Sequence, residues 1–132
     1  MHINKVNKTI LITGAILGML AVLLGAFGAH GLEKLVDAKS VNSFNTGVRY
    51  QMYHAIVCVV LGNMTFLNST WTKRIFYFFM GGITLFSGSI YLLAIDEALG
   101  ISLSGIGFIT PLGGILLIFG WILFIIAISK IK

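Results

Sequence analysis

The sequence is poor in cysteine, proline and acidic residues, with one cysteine, one proline and four acids among 132 residues. The single cysteine, Cys58, excludes an internal disulfide and a CxxC metal site, and its valine neighbours favour a small packing residue. Also absent are an HExxH motif, a pair of catalytic carboxylates within an apolar stretch, and a glycine-rich loop between a strand and a helix. We therefore predict a protein that is not an enzyme and that holds no metal or other cofactor.

Charged residues are scarce as well, at 10% of the chain against 58% hydrophobic residues and a mean hydropathy of +1.00. This composition lies far outside that of soluble domains and predicts an integral membrane protein with one domain, residues 1–132. The net charge of +5 would also suit a nucleic-acid binder, but the basic residues are scattered and form no continuous stripe. The expected partners are membrane lipids, a second copy of the chain or other membrane proteins, and no nucleic acid.

Long apolar stretches predict an all-α integral membrane four-helix bundle, because a helix needs about 20 apolar residues to cross a bilayer. The predicted spans are residues 9–29, 47–67, 75–95 and 108–128. A signal peptide is the alternative for the first stretch, since Ala26-Phe27-Gly28 offers small residues for cleavage. The span is favoured because the stretch is longer than the usual apolar core of about 7 to 15 residues.

Residues 30–46 mix apolar and charged side chains, a spacing that predicts a short helix at the membrane interface. Asn42 or Ser43 would then cap the second span.

The predicted second span contains a patch of polar and charged side chains, which cost free energy to place inside a membrane. The apolar run 55–67 is too short to cross a bilayer alone, so the helix must include the residues before it. At 100° per residue, one face within about 140° carries Arg49, Tyr50, Tyr53 and His54. Ionisable groups at membrane depth usually serve a function, which makes this patch the candidate site.

The third span adds a second polar and small face with Gly81, Thr84, Ser87, Gly88 and Tyr91, and two acids close it. The predicted patch for a ligand therefore comprises His30, Arg49, Tyr50, Tyr53, His54, Ser87, Tyr91, Asp96 and Glu97. We expect Arg49 to be neutralised by Asp96 or Glu97, since both would lie near the same end of antiparallel helices. A lipid phosphate is the alternative partner of Arg49.

Glycines recur at helical spacing and predict close helix packing. The first stretch carries one nearly side-chain-free face, and pairs in three stretches are seven residues apart, which is compatible with left-handed packing. The predicted packing glycines are Gly14, Gly18, Gly25, Gly81, Gly88, Gly113 and Gly120.

Charge asymmetry predicts the orientation. With four spans, the side that holds both termini carries Lys5, Lys8, Lys73, Arg74, Lys130 and Lys132. The other side carries Lys34, Lys39 and Arg49 together with Glu33, Asp37, Asp96 and Glu97. By the positive-inside rule, both termini are predicted to be cytoplasmic and the polar patch to lie toward the outer face.

Four strings, residues 25–30, 48–55, 86–89 and 109–114, together resemble the YgdD/YwdK-like family. The most specific is Val48-Arg49-Tyr50-Gln51-Met52-Tyr53-His54-Ala55. That family comprises small four-span bacterial membrane proteins classed as a domain of unknown function, with relatives among animal transmembrane proteins. The resemblance implies four helices in the bacterial inner membrane and brings no substrate, cofactor or catalytic residues.

Three functions remain open from the sequence. The favoured one is a helical bundle with a structural polar patch, which acts in membrane integrity or assembly. The second is a small transporter or channel subunit for protons or a small anion, although no pair of broken helices is evident. The third is an enzyme or cofactor protein, in which His30 and His54 would be haem ligands or Arg49 would meet a lipid substrate, and a lipid-binding protein is a further alternative.

Overall fold

The computed structural model of the chain describes residues 4–131 and contains four long α-helices, with no strand in that range. They are α1, Lys5–His30; α2, Ala38–Asn63; α3, Ser69–Ile95; and α4, Ile109–Ser129. Two 3₁₀ turns, Leu32–Lys34 and Ser104–Ile106, lie in the connections between α1 and α2 and between α3 and α4. The predicted all-α, four-helix architecture is confirmed.

Side-chain caps determine where the first three helices begin. Asn4 accepts from the backbone N–H of Asn7, and Asn68 accepts from that of Thr70. Asp37 accepts from the N–H of Ser40 at 2.7 Å. Such caps satisfy backbone donors that have no partner inside the helix.

The cap at Asp37 corrects the expected start of the second helix. α2 begins at Ala38 rather than near Gly47, so the predicted caps Asn42 and Ser43 lie inside it. The helix also ends earlier, at Asn63 rather than Leu67. The predicted interfacial helix is reduced to the 3₁₀ turn Leu32–Lys34, because the polar residues that follow it belong to α2.

Hydrogen bonds set α1 and α2 antiparallel. Asn7 Nδ2 donates to the carbonyl oxygen of Gly62 at 2.8 Å, and Gln51 Nε2 donates to that of Leu17 at 2.9 Å. The Gly62 carbonyl lies in the last turn of α2, where carbonyls lack a partner within the helix. Asn7, which is almost fully buried, supplies that partner from the neighbouring helix.

The other two neighbouring pairs are antiparallel as well. Ser87 Oγ donates to the carbonyl oxygen of Gly47 at 2.8 Å, and the hydroxyls of Ser89 and Thr110 lie 2.6 Å apart. Lys5 at the start of α1 and Ser129 at the end of α4 therefore lie at one end of the bundle with the α2–α3 connection. We call this the terminal end and call the other the opposite end.

Three helical segments are long and apolar enough to cross a membrane: Lys5–Lys34, Ser69–Ile95 and Ser104–Ser129. α2 has a similar length, 26 residues, but its first half is rich in polar side chains. At 1.5 Å per residue α2 is about 39 Å long, which exceeds the roughly 30 Å hydrocarbon core. Its polar first half makes α2 less apolar than the other three helices.

Glycines bring the helices close at specific crossings. A Cβ on Gly113 would collide with the backbone of Phe86, and one on Gly120 would lie 2.7 Å from the Phe79 ring. A Cβ on Gly14 would lie 3.0 Å from the carbonyl oxygen of Ala55. The other predicted glycines vary, with ordinary or moderately tight surroundings at Gly18, Gly25 and Gly81 and open space at Gly88.

Some close crossings were not predicted. Gly82 packs against Leu117, and a Cβ on Gly47 would lie 2.8 Å from the Tyr91 ring. For Gly82 the available signal is its spacing from the buried residues Ile75 and Phe79, which places all three on one helical face.

Candidate functional site

The polar residues of α2 divide between two faces. Gln51 and His54 are each only 4% exposed, whereas Arg49 is exposed and Tyr50 and Tyr53 are 41% and 54% exposed. The predicted patch is therefore two different sets of side chains, one inside the bundle and one on its surface.

Gln51 is the centre of the inner set, and it joins three helices. Its Nε2 donates to the Leu17 carbonyl oxygen of α1, and its Oε1 accepts from the Tyr91 hydroxyl of α3 at 2.8 Å. Sequence analysis did not select Gln51. The available signal was an uncharged amide inside a predicted membrane span, which must find partners on neighbouring helices.

His54 bonds through both of its ring nitrogens. Nδ1 lies 2.7 Å from the Tyr50 carbonyl oxygen, and Nε2 accepts from the Trp121 indole N–H at 3.2 Å. Both bonds form together only when Nδ1 carries the proton and Nε2 is an acceptor, which is a neutral imidazole. Trp121, another residue that sequence analysis did not select, thereby ties α4 to α2.

The inner polar groups are satisfied by each other and by backbone carbonyls. Within residues 4–131, no buried side-chain nitrogen or oxygen lacks a hydrogen-bond partner. The Ser87 hydroxyl donates to the Gly47 carbonyl oxygen, and the Tyr91 hydroxyl donates to Gln51 Oε1. These hydrogen bonds join neighbouring helices. We call the inner side chains that make them, Gln51, His54, Ser87 and Tyr91, the lock.

A lateral cavity of about 370 Å³ lies beside this lock, between α1 and α3. Leucines of α1 and Ile83 form much of its wall, and Gln51, Thr84, Ser87 and Tyr91 contribute its polar atoms. Gly88, where an added Cβ would meet nothing within 4 Å, lines the same cavity. The predicted polar and small face of α3 thus borders a recess.

The outer set consists of Arg49, Tyr50 and Tyr53. Arg49 Nη2 donates to Thr46 Oγ1 at 3.0 Å, one helical turn nearer the opposite end. The Tyr50 ring lies 6.0 Å from that of Tyr53 and 4.7 Å from that of Phe86. A guanidinium with further donors, flanked by two exposed phenols, can bind an anionic group.

The helix register separates Arg49 from the acids expected to neutralise it. Ser87 is level with Gly47, and Asp96 lies nine residues beyond Ser87 while Arg49 lies two residues the other way. At 1.5 Å per residue, the two backbones differ in depth by about 16 Å. The Asp96 carboxylate instead accepts from the backbone N–H of Leu103 at 3.0 Å.

The remaining predicted residues lie away from this region. His30 is the exposed last residue of α1, and Glu97 is exposed just beyond α3. His54 lies near the depth of Gly14, which packs against Ala55, and His30 is sixteen residues farther along α1, roughly 24 Å away. His30 and His54 are therefore not arranged as a pair of ligands for one cofactor.

Residues 24–114 match a family described as "Protein of unknown function (DUF423)". This chain belongs to that family. The resemblance noted from the sequence strings is thereby confirmed, and the matched residues include all of α2 and α3.

Full-length relatives are membrane proteins. The UPF0382 membrane protein YwdK of Bacillus subtilis is 42% identical over 127 residues, which cover 93% of this chain and 98% of that protein. A UPF0382 membrane protein of Staphylococcus saprophyticus is 40% identical, over 94% of this chain and 99% of its own. One from Haemophilus influenzae is 37% identical, over 82% and 83% respectively. No solved structure matches the chain.

Membership in the family establishes a membrane protein and names no ligand or reaction. The matched region carries both the lock around Gln51 and the exposed Arg49. Its chemistry must therefore be inferred from the geometry of these two sets.

Proposed function

We propose that this family member is a non-enzymatic structural protein of the bacterial plasma membrane that binds an anionic phospholipid through Arg49 and supports membrane integrity. The observation that carries the proposal is the exposed guanidinium of Arg49, midway along a helix of a membrane protein. Its hydrogen bond within residues 4–131 is to the neutral hydroxyl of Thr46.

The depth of Arg49 favours an anionic partner. Its backbone is level with residue 85 of α3, ten residues or about 15 Å short of the end of that helix at Ile95. An arginine at the bilayer centre costs about 2.5 to 3.5 kcal/mol on insertion scales, and snorkelling reduces that cost. Helical side chains point toward the helix N-terminus, so Arg49 rises toward the opposite end and the headgroups there.

A lipid phosphate is the anion that fits this position. Within residues 4–131, no side-chain carboxylate lies at the depth of Arg49: Asp96 is about 16 Å nearer the opposite end, and Glu33, Asp37 and Glu97 also lie in or beside the connections there. A guanidinium offers five donors in a planar fork that matches phosphate geometry.

The proposed orientation has both termini in the cytoplasm, so the lipid at Arg49 belongs to the outer leaflet. The terminal end carries the basic side chains Lys5, Lys8, Lys73, Arg74 and Lys130 among the described residues. The acidic side chains belong to the opposite end. This distribution follows the positive-inside rule.

The engaged state of the inner set supports a structural role over transport or catalysis. A proton or anion pathway would need polar side chains that exchange partners with water, and a catalyst would need a free acid, base or nucleophile. Here the hydroxyls of Ser87 and Tyr91 and Nε2 of His54 hold helices together, and Nδ1 of His54 is engaged by the Tyr50 carbonyl of its own helix.

Lipid retention tests the proposal. The protein would be reconstituted in nanodiscs with equal amounts of phosphatidylglycerol and phosphatidylcholine. Native mass spectrometry would then count the lipids that stay bound to it. Arg49→Gln should lower retention of the phosphatidylglycerol bound at Arg49 on the order of tenfold, because charge-assisted hydrogen bonds are lost. Arg49→Lys should retain part of it.

Arg74→Gln is the matched control, since Arg74 is also an exposed arginine but lies at the terminal end over the Trp71 ring. It should leave the lipid bound at Arg49 in place. Equal retention by wild type and Arg49→Gln would refute the proposal, and so would an equal loss in the Arg74→Gln control.

A further inference from the structure

A second recess opens between α1 and α3 at the terminal end of the bundle. Its volume is about 240 Å³. Lys5 of α1 and Lys73 of α3 are exposed at its edge, and the buried residues Ile10 and Phe76 line its interior. Tyr77, which is 68% exposed, also lines it.

The two lysines have no side-chain carboxylate near them to neutralise their charge. All four acidic side chains of the chain belong to the opposite end, at positions 33, 37, 96 and 97. Lys5 and Lys73 come from different helices, so their charges converge on one recess rather than along a single helix face. Such an arrangement attracts an anion at this end of the bundle.

The apolar interior selects the kind of anion. A small soluble phosphate would gain nothing from Val6, Ile10 and Phe76, whereas a phospholipid would place its chain against them. Basic pockets between membrane helices bind anionic headgroups in this manner. The exposed Tyr77 ring suits the boundary between chain and headgroup.

The seam between α1 and α3 offers room for a chain beyond this recess. The larger cavity of about 370 Å³ beside Gln51 is lined by the same two helices. Ile10 of the first recess and Leu17 of the second are seven residues apart, or roughly 10 Å along α1. The two recesses therefore follow one another along one lipid-facing seam.

We infer that the recess between Lys5 and Lys73 is a binding site for an anionic phospholipid, whose phosphate contacts both lysines and whose acyl chain lies along the α1–α3 seam. This site lies at the other end of the bundle from the headgroups that Arg49 faces. The inference depends on the membrane fold and is independent of the lipid proposed at Arg49.

The test compares two double variants with the same change in charge. Lys5→Gln with Lys73→Gln removes the proposed site, and Lys34→Gln with Lys39→Gln removes two exposed lysines at the opposite end. Each protein would be reconstituted in nanodiscs of phosphatidylglycerol and phosphatidylcholine, and its bound lipids would be counted by native mass spectrometry. About a fivefold change in affinity is expected per lysine, or about 25-fold for the pair.

The wild type and the control pair should keep one phosphatidylglycerol that the Lys5/Lys73 pair loses. Lys5→Arg with Lys73→Arg should keep it as well, because the charges remain. Excess inorganic phosphate should not displace it, since the apolar contacts belong to the chain of the lipid. Unchanged retention in the glutamine pair, equal loss in both glutamine pairs, or displacement by inorganic phosphate would overturn the inference.

The outcome is separable from that at Arg49. Arg49→Gln should leave the phosphatidylglycerol at Lys5 and Lys73 bound, and the lysine variants should leave the one at Arg49 bound. Each site thus fails or stands by its own variant.

Discussion

The hydroxyl of Ser87 donates a 2.8 Å hydrogen bond to the carbonyl oxygen of Gly47, across the interface of α2 and α3. Because Gly47 has no side chain, the Tyr91 ring packs against it and brings its own hydroxyl to Gln51. The two bonds fix the depth of α2 relative to α3. That depth separates Arg49 from Asp96 and leaves the guanidinium facing outward.

Ser87→Ala should weaken this interface. Hydrogen bonds between membrane helices contribute about 0.6 kcal/mol on average and at most about 1.7 kcal/mol, so a loss in that range is expected in the free energy of unfolding. Titration of folded protein in mixed micelles with a denaturing detergent measures it. Thr84→Ala is the control, since Thr84 bonds to Met80 within its own helix and should change stability less. An equal or larger loss in the control would contradict the assignment.

Two glycines should respond in opposite directions to alanine. A methyl group at Gly113 would collide with the backbone of Phe86, so Gly113→Ala should force α3 and α4 apart and cost about 1 to 3 kcal/mol. Gly88 has open space around it, so Gly88→Ala should be neutral or should stabilise α3 by up to about 1 kcal/mol through helix propensity. The same micelle titration measures both. Similar losses for the two variants would show that α3 and α4 do not cross closely at Gly113.

The cap of α2 should be lost at acidic pH. The backbone N–H of Ser40 bonds to the Asp37 carboxylate and lowers the pKa of Asp37 below its ordinary value of 3.8. A lowered pKa means that the cap stabilises α2 fully above the unfolded-state pKa and is lost as the pH falls through the lower folded-state value. The amide chemical shift of Ser40, followed by NMR, should therefore titrate below pH 3.8. Asp37→Asn should abolish this titration, and an unchanged curve in that variant would assign it to another group.

Hydropathy was sufficient to predict four helices but not where two of them begin, since α2 starts at Ala38 rather than at residue 47 and α3 at Ser69 rather than at residue 75. The ends of α1, α3 and α4 follow apolar stretches, which a membrane imposes on a helix. α2 instead extends back to Ala38 through polar residues, because the Asp37 cap and the helix packing outweigh hydropathy there. A prediction from hydropathy alone does not detect a helix cap.

The predicted site contained suitable residues, but their grouping depended on register. Because α2 begins at Ala38, Arg49 lies at the middle of the helix instead of near its end. Arg49 is therefore too far from Asp96 in depth for the expected pairing, and Asp96 bonds to Leu103 instead. Gln51 and Trp121 escaped prediction because their role lies in partners on other helices, which a single helical wheel does not show.

The orientation is open to a direct test. With both termini in the cytoplasm, a fluorescent protein fused after Lys132 should be bright, and alkaline phosphatase fused there should be inactive, because the positive-inside rule holds the basic terminal end inside. Fusion of the same reporters within the 3₁₀ turn Ser104–Ile106 should give the reverse pattern. Active phosphatase at a stable carboxyl-terminal fusion would contradict the orientation.

Photocrosslinking at Tyr53 tests the lipid proposal most directly. Tyr53 is 54% exposed and lies on the outer set beside Arg49, so a p-benzoylphenylalanine in its place would react with whatever contacts that surface in the intact membrane. We predict an adduct with the mass of an anionic phospholipid, diminished when Arg49→Gln is combined with the label and preserved with Arg74→Gln. An adduct with a second copy of the chain or with another protein, in place of lipid, would contradict the proposed lipid site.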